Sequence, residues 1–144
     1  MKRIQSICFL FAAVCLLTIP ALAQITGPIE ANIPFSFTIE NTQLPAGSYT
    51  FRVLEGTDLN AMEVVSADGK TSVEFLVGST ELPNTVAKTE LEFHKYGMRE
   101  FLSSIYERGT NVGADLYPSR AELRLMKHQM KRTTHRMPAQ KVGT

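Results

Sequence analysis

From Ile33 to Glu40 every second residue is apolar, with Ile33, Phe35, Phe37 and Ile39 on one side and Pro34, Ser36, Thr38 and Glu40 on the other. A period of two places one row in a core only if the chain is extended, so this stretch predicts a half-buried β-strand. Pro34 has no amide hydrogen for a ladder, which puts it at an edge or in an unpaired position near the strand's start. Asn41 to Gly47 then reads as a turn, with Pro45 fixing one φ. Tyr49, Phe51 and Val53 alternate with Thr50, Arg52 and Leu54 in the next strand.

The pattern repeats along the chain. Gly56-Thr57-Asp58 interrupts it, and Leu59–Ser66 resumes it. Ala67-Asp68-Gly69-Lys70 carries Asp-Gly, the strongest short hairpin signal, and predicts a type I′ turn. Thr71–Val77 returns with Val73, Phe75 and Val77 on one face, followed by a polar loop from Gly78 to Asn84. Val86–Lys95 and Arg99–Glu107 form a further hairpin around Tyr96-Gly97-Met98. About six strands at roughly ten-residue spacing define a mainly β fold, an antiparallel meander forming a small barrel or a sandwich. The pattern alone does not choose between them.

The C-terminal quarter has a different period. Ser119-Arg120-Ala121-Glu122 is a capping box, in which the Ser119 hydroxyl accepts from the third helical amide and Glu122 reaches back to the cap. The expected element is a C-terminal amphipathic helix over 119–137, fraying before Pro138, with 138–144 as a disordered tail. At helical spacing Leu123, Met126, Met130, Thr133 and Met137 share one side. Arg120, Arg124, Lys127, Lys131 and His135 share the other, making a candidate interaction surface.

The first 23 residues read as a signal peptide that is removed. Lys2 and Arg3 precede an apolar run from Ile7 to Ile19, too short for a comfortable bilayer crossing, and Ala21-Leu22-Ala23 supplies the small residues before Gln24. The expected location is therefore exported, periplasmic or secreted. Cys8 and Cys15 both lie in this segment, and Val14 before Cys15 does not suit a lipoprotein anchor. The remaining chain, one β domain over 24–118 plus the helix, is large enough to bury a core without disulfides. It holds 13 basic and 14 acidic side chains, unevenly placed: six basic against thirteen acidic up to Ser119, then seven basic against one acidic. Such asymmetry points to an interaction segment.

The basic helix could lie on an anionic membrane surface or meet an envelope protein. The favoured expectation is that its Leu and Met stripe packs on the β domain while its cations are solvated or face that domain's carboxylates. Nucleic acid is not expected as a partner, because the segment lacks interleaved aromatic residues for stacking. No cofactor or metal is expected. His128 and His135 stand seven residues apart, too far along a helix axis to share one zinc, and His94 lies in a different element. No Gly-x-Ser-x-Gly elbow and no base beside Ser103 or Ser104 marks a nucleophile, so there are no candidate catalytic residues. Glu90 and Glu92 share a strand face as glycosidase carboxylates could, but a solvated strand side explains them more simply. His94, Tyr96, Arg99 and Tyr106 surround one hairpin and form a candidate ligand rim at a barrel mouth.

Several of these motifs together resemble a group of small uncharacterised exported bacterial proteins: Ile33-Pro34-Phe35 with Phe37, Leu44-Pro45-Ala46-Gly47 with Tyr49, Leu91 and Phe93 with Tyr96-Gly97, Phe101-Leu102, and Ser119-Arg120-Ala121-Glu122. The similarity runs from about Asn32 to Leu125. Relatives often carry Tyr where this chain has Glu100 and Trp where it has Tyr106. The resemblance implies a bacterial origin and an exported β domain, and it brings no activity. The resulting expectation is a non-enzymatic envelope binding or structural protein. A carrier of a small apolar ligand, lined by Phe35, Phe37, Phe51 and Phe75, is the alternative, and a hydrolase is a more distant one.

Overall fold

The computed structural model describes residues 25–56 and 60–143; the segment expected to be a signal peptide lies outside the described residues. The described chain is mainly β, as the alternation requires. Its strands are β1 Ile29–Ile33, β2 Phe37–Ile39, β3 Thr42–Leu44, β4 Gly47–Val53, β5 Ala61–Ser66, β6 Ser72–Glu81, β7 Glu90–Tyr96, β8 Arg99–Tyr106 and β9 Val112–Leu116. The helix α1 Arg120–Lys127 follows, then β10 Arg132–Pro138 and β11 Gln140–Lys141. Neighbouring strands run in the order β10-β7-β8-β9-β6-β5-β4-β1-β11.

This path folds into two sheets around one core. The turn of direction lies within β6, whose first half pairs with β5 up to Leu76 and whose second half pairs with β9 from Val77 onward. Strands that change sheets are the usual way to make such a corner. At the opposite corner the chain from Arg132 to Lys141 does the same, lying along β7 as β10 and then along β1 as β11. Side chains of both sheets meet in between: the Phe37 and Tyr49 rings stand edge to face at 5.2 Å, and Phe37 meets Phe93 in the same way at 5.8 Å. Ile29, Ile33, Ile39, Phe51, Leu91 and Ile105 are fully buried in this cluster.

Five expectations are corrected. The Ile33–Glu40 strand is two strands in different sheets, because Pro34 ends the pairing and Pro34-Phe35-Ser36 crosses between them; β1 pairs with β4, and β2 with β3. The pairing is not wholly antiparallel, since β2 meets β8 in parallel at Thr38 and Phe101. At Asp68-Gly69 only Gly69 has positive φ, and its amide bonds back to Ser66 O at 2.8 Å, so the turn is a longer loop rather than type I′.

The helix correction is the largest. The expected 119–137 helix ends at Lys127, and Arg132–Pro138 is a strand. Gln129 takes a positive φ of 53°, its amide donates to Met126 O and that of Met130 donates to Leu125 O. This is a Schellman ending, in which a left-handed residue turns the chain out of the helix. Beyond it Thr133 and Thr134, both β-branched, suit a strand. The expected disordered tail is likewise ordered as far as β11, where Val142 N donates to Pro28 O at 2.9 Å.

One ionic knot ties this corner to the domain. Glu107, just past β8, accepts from Lys141 Nζ at 2.6 Å, from Thr26 N at 2.9 Å and from Thr26 Oγ1 at 3.1 Å. Burial pushes the Glu107 carboxyl up, but these donors outweigh it and hold the group below its ordinary 4.5. A group depressed in the folded state adds stability that is complete above its unfolded value and is lost as pH falls through its folded one. Glu107→Gln is therefore expected to lower the urea midpoint at neutral pH and to flatten its decline below about pH 4.5. Parallel midpoint-against-pH curves for the two proteins would show that the knot contributes nothing.

Candidate functional site

The site is built where α1 meets the β7–β8 hairpin. The two strands turn through Gly97 and Met98, and Gly97 takes a φ of 61°, which a side chain would resist. Tyr96 and Arg99 face each other at the start of the ladder, and His94 faces Phe101 two residues further along. Ser119 caps α1 as its sequence predicts, accepting from Glu122 N at 3.0 Å.

The other half of the capping box is not made. Glu122, 3% exposed, points into the domain, where its Oε1 accepts from Tyr96 Oη at 3.2 Å and meets His94 Nδ1 at 2.8 Å. A buried carboxylate is costly unless such donors surround it, so this triad fixes how α1 sits on the sheet. Burial, and then the negative charge of Glu122, push the Tyr96 hydroxyl's pKa up, which keeps its proton available to donate.

Because α1 turns Glu122 inward, with Ala121 and Leu125 half-buried beside it, two of its apolar residues are left outside with its cations. Leu123, Met126 and Met130 remain 50%, 43% and 43% exposed. The Met130 methyl lies over the hairpin, 3.9 Å from where a Cβ on Gly97 would stand, and the neighbouring Met98 is 97% exposed. The expectation that the Leu and Met stripe packs on the domain is thus corrected: Leu123 and Met126 flank the cationic side in solvent. Arg120, Arg124, Lys127 and Lys131 are exposed, and none lies within ion-pair distance of a described carboxylate. These cations do not face the domain's acids.

His135 belongs elsewhere. On β10 it stacks on Phe93 at 5.6 Å, stands edge-on to Phe35, and brings Nδ1 to 3.6 Å from Glu100 Oε2. Glu100, 5% exposed, meets Lys95 Nζ at 3.3 Å through its other oxygen. The candidate rim is also divided. His94 and Tyr96 come together on Glu122, whereas the Arg99 guanidinium lies over Phe101 at 5.7 Å. Tyr106 stands at the far end of β8, buried beneath the Arg136 guanidinium at 5.0 Å.

Arg136 also occupies the two carboxylates that could have served a glycosidase, with Nε 2.7 Å from Glu92 and Nη1 3.7 Å from Glu90. A cleft of about 640 Å³ lies at the β1–β11 corner, lined by Asn32, Ser48, Thr50, Met137, Pro138 and Gln140 among others, and it is open to solvent. The buried acids Glu100 and Glu122 were not anticipated. Each answers to partners in other elements, and spacing within one segment carries no sign of that.

Comparison with family models, with curated proteins and with solved structures finds no match.

Proposed function

We propose that this chain is an exported, non-enzymatic binding protein of the bacterial envelope, and that it binds through the cationic, methionine-rich end formed by α1 and the β7–β8 hairpin. The observation that carries this reading is the unneutralised set Arg120, Arg124, Lys127 and Lys131 beside exposed Leu123, Met126 and Met98. Four unpaired cations around exposed apolar side chains make a field of one sign beside an apolar patch, which suits an anionic counterpart. The signal-like N-terminus and the resemblance to exported bacterial proteins support the location.

Carriage of an apolar ligand is less well supported, because Phe37, Phe51 and Phe75 are buried and their rings fill the space between the sheets. The test is co-sedimentation of the purified chain from Gln24 onward with bacterial envelope fragments. The native protein is expected to pellet with them. A variant with Gln at positions 120, 124, 127 and 131 is expected to stay in solution with an unchanged urea midpoint. Equal pelleting of both would overturn the reading.

A further inference from the structure

We infer that the counterpart of this end is the anionic lipid surface itself. This rests on the proposed binding role and names its partner. Three features of the patch favour a bilayer. Its charge has one sign: between Ser119 and Arg132 the single acid is Glu122, which is buried on His94 and Tyr96. Its apolar groups project rather than line a cavity: Met98 stands at the apex of a two-residue turn, Met130 lies over the same turn, and Leu123 and Met126 are exposed on the helix that docks on this hairpin. Its cations are long-stemmed and flank those groups, so their heads can stay among phosphates while methionine and leucine enter the headgroup boundary.

The arrangement differs from an ordinary amphipathic anchor. The helix has only eight residues and is held on the sheet by a buried carboxylate, so its orientation is fixed before contact. Docking then needs no coil-to-helix transition, and the entropy of ordering the segment is already spent in folding. Because each cation near an anionic surface strengthens binding by roughly fivefold, replacing three should weaken it by about a hundredfold.

The chain contains no Trp, which makes a direct optical test available. In the Met98→Trp variant the sole indole sits at the hairpin tip; in the Val142→Trp variant it sits just past β11, at the end of the domain away from that tip. Vesicles of phosphatidylglycerol and phosphatidylcholine in equal parts should bind both variants, shift the indole emission of Met98→Trp to the blue and leave that of Val142→Trp unchanged. Binding should fall steeply with salt, be absent on phosphatidylcholine alone, and drop about a hundredfold in R124Q/K127Q/K131Q. No binding to the anionic vesicles, equal binding to neutral ones, or binding without the blue shift at the hairpin tip would overturn the inference. If envelope fragments still retain the protein when protein-free vesicles do not, the partner is an acidic envelope protein, and only the lipid assignment falls.

Discussion

A chain ending at Lys131 is expected to lose its native fold, while one ending at Val142 keeps it. The truncation removes β10, and with it seven paired positions along β7 from Tyr96 to Glu90, and β11 on β1. It uncovers Leu91 and Phe93, takes the His135 ring off Phe93, and leaves Glu90 and Glu92 side by side without Arg136. Glu107 also loses Lys141. Domains of this size are stable by only about 5–15 kcal/mol, and the combined loss of two edge strands and their apolar cover exceeds that margin. The bared edges of β1 and β7 are then templates for pairing with other chains. Far-UV dichroism and sedimentation velocity should show an unfolded or aggregated product. A monomeric truncated chain with the native urea midpoint would mean that the corner is ornamental.

Gly113→Ala is the second large effect, at about 3 kcal/mol, or a Tm lower by about 10 °C. Gly113 faces Tyr106 across the β8–β9 ladder. A Cβ there would stand 2.4 Å from Tyr106 Cδ1, 2.5 Å from Cε1 and 2.9 Å from the Ile105 carbonyl oxygen. The ring cannot easily withdraw, because it is 3% exposed and Arg136 lies over it. An aromatic residue laid over a strand glycine is a known device for filling the space that glycine leaves. Replacing the ring should therefore relieve part of the clash, so Gly113→Ala is expected to cost less in a Tyr106→Leu background. Strict additivity of the two changes would show that the strain lies with the Ile105 carbonyl instead.

Much of the sheet was legible because most of its longer strands bury only one face. Tyr49 and Phe51, Leu91 and Phe93, and the Gly97 turn all stand where alternation and turn chemistry put them. β9 escaped because Gly113 and Asp115 look like loop residues, and the reason for the glycine is the Tyr106 ring on the neighbouring strand. β10 escaped because Arg132, His135, Arg136 and Met137 fit a helical period as well as a strand, and the helix is stopped by Gln129 where glycine is the usual signal. The cations of the candidate site were legible as a cluster. Their lack of acidic partners was not, because it depends on Glu122 turning inward to His94 and Tyr96, a contact between segments 26 to 28 residues apart.

The route of β10 also gives the molecule a head and a tail. It starts opposite Tyr96, beside the hairpin tip, and ends opposite Glu90. Its seven extended residues run about 20 Å from one pole to the other. At the far pole Lys141 bonds to Thr26, so the two ends of the described chain leave the domain side by side. New termini could be opened between Gly56 and Asn60 and the old ones joined by a short linker, giving a circular permutant with the same sheet order. Any domain fused at either end of the described chain would trail behind, leaving Met98 and the arginines of α1 facing forward.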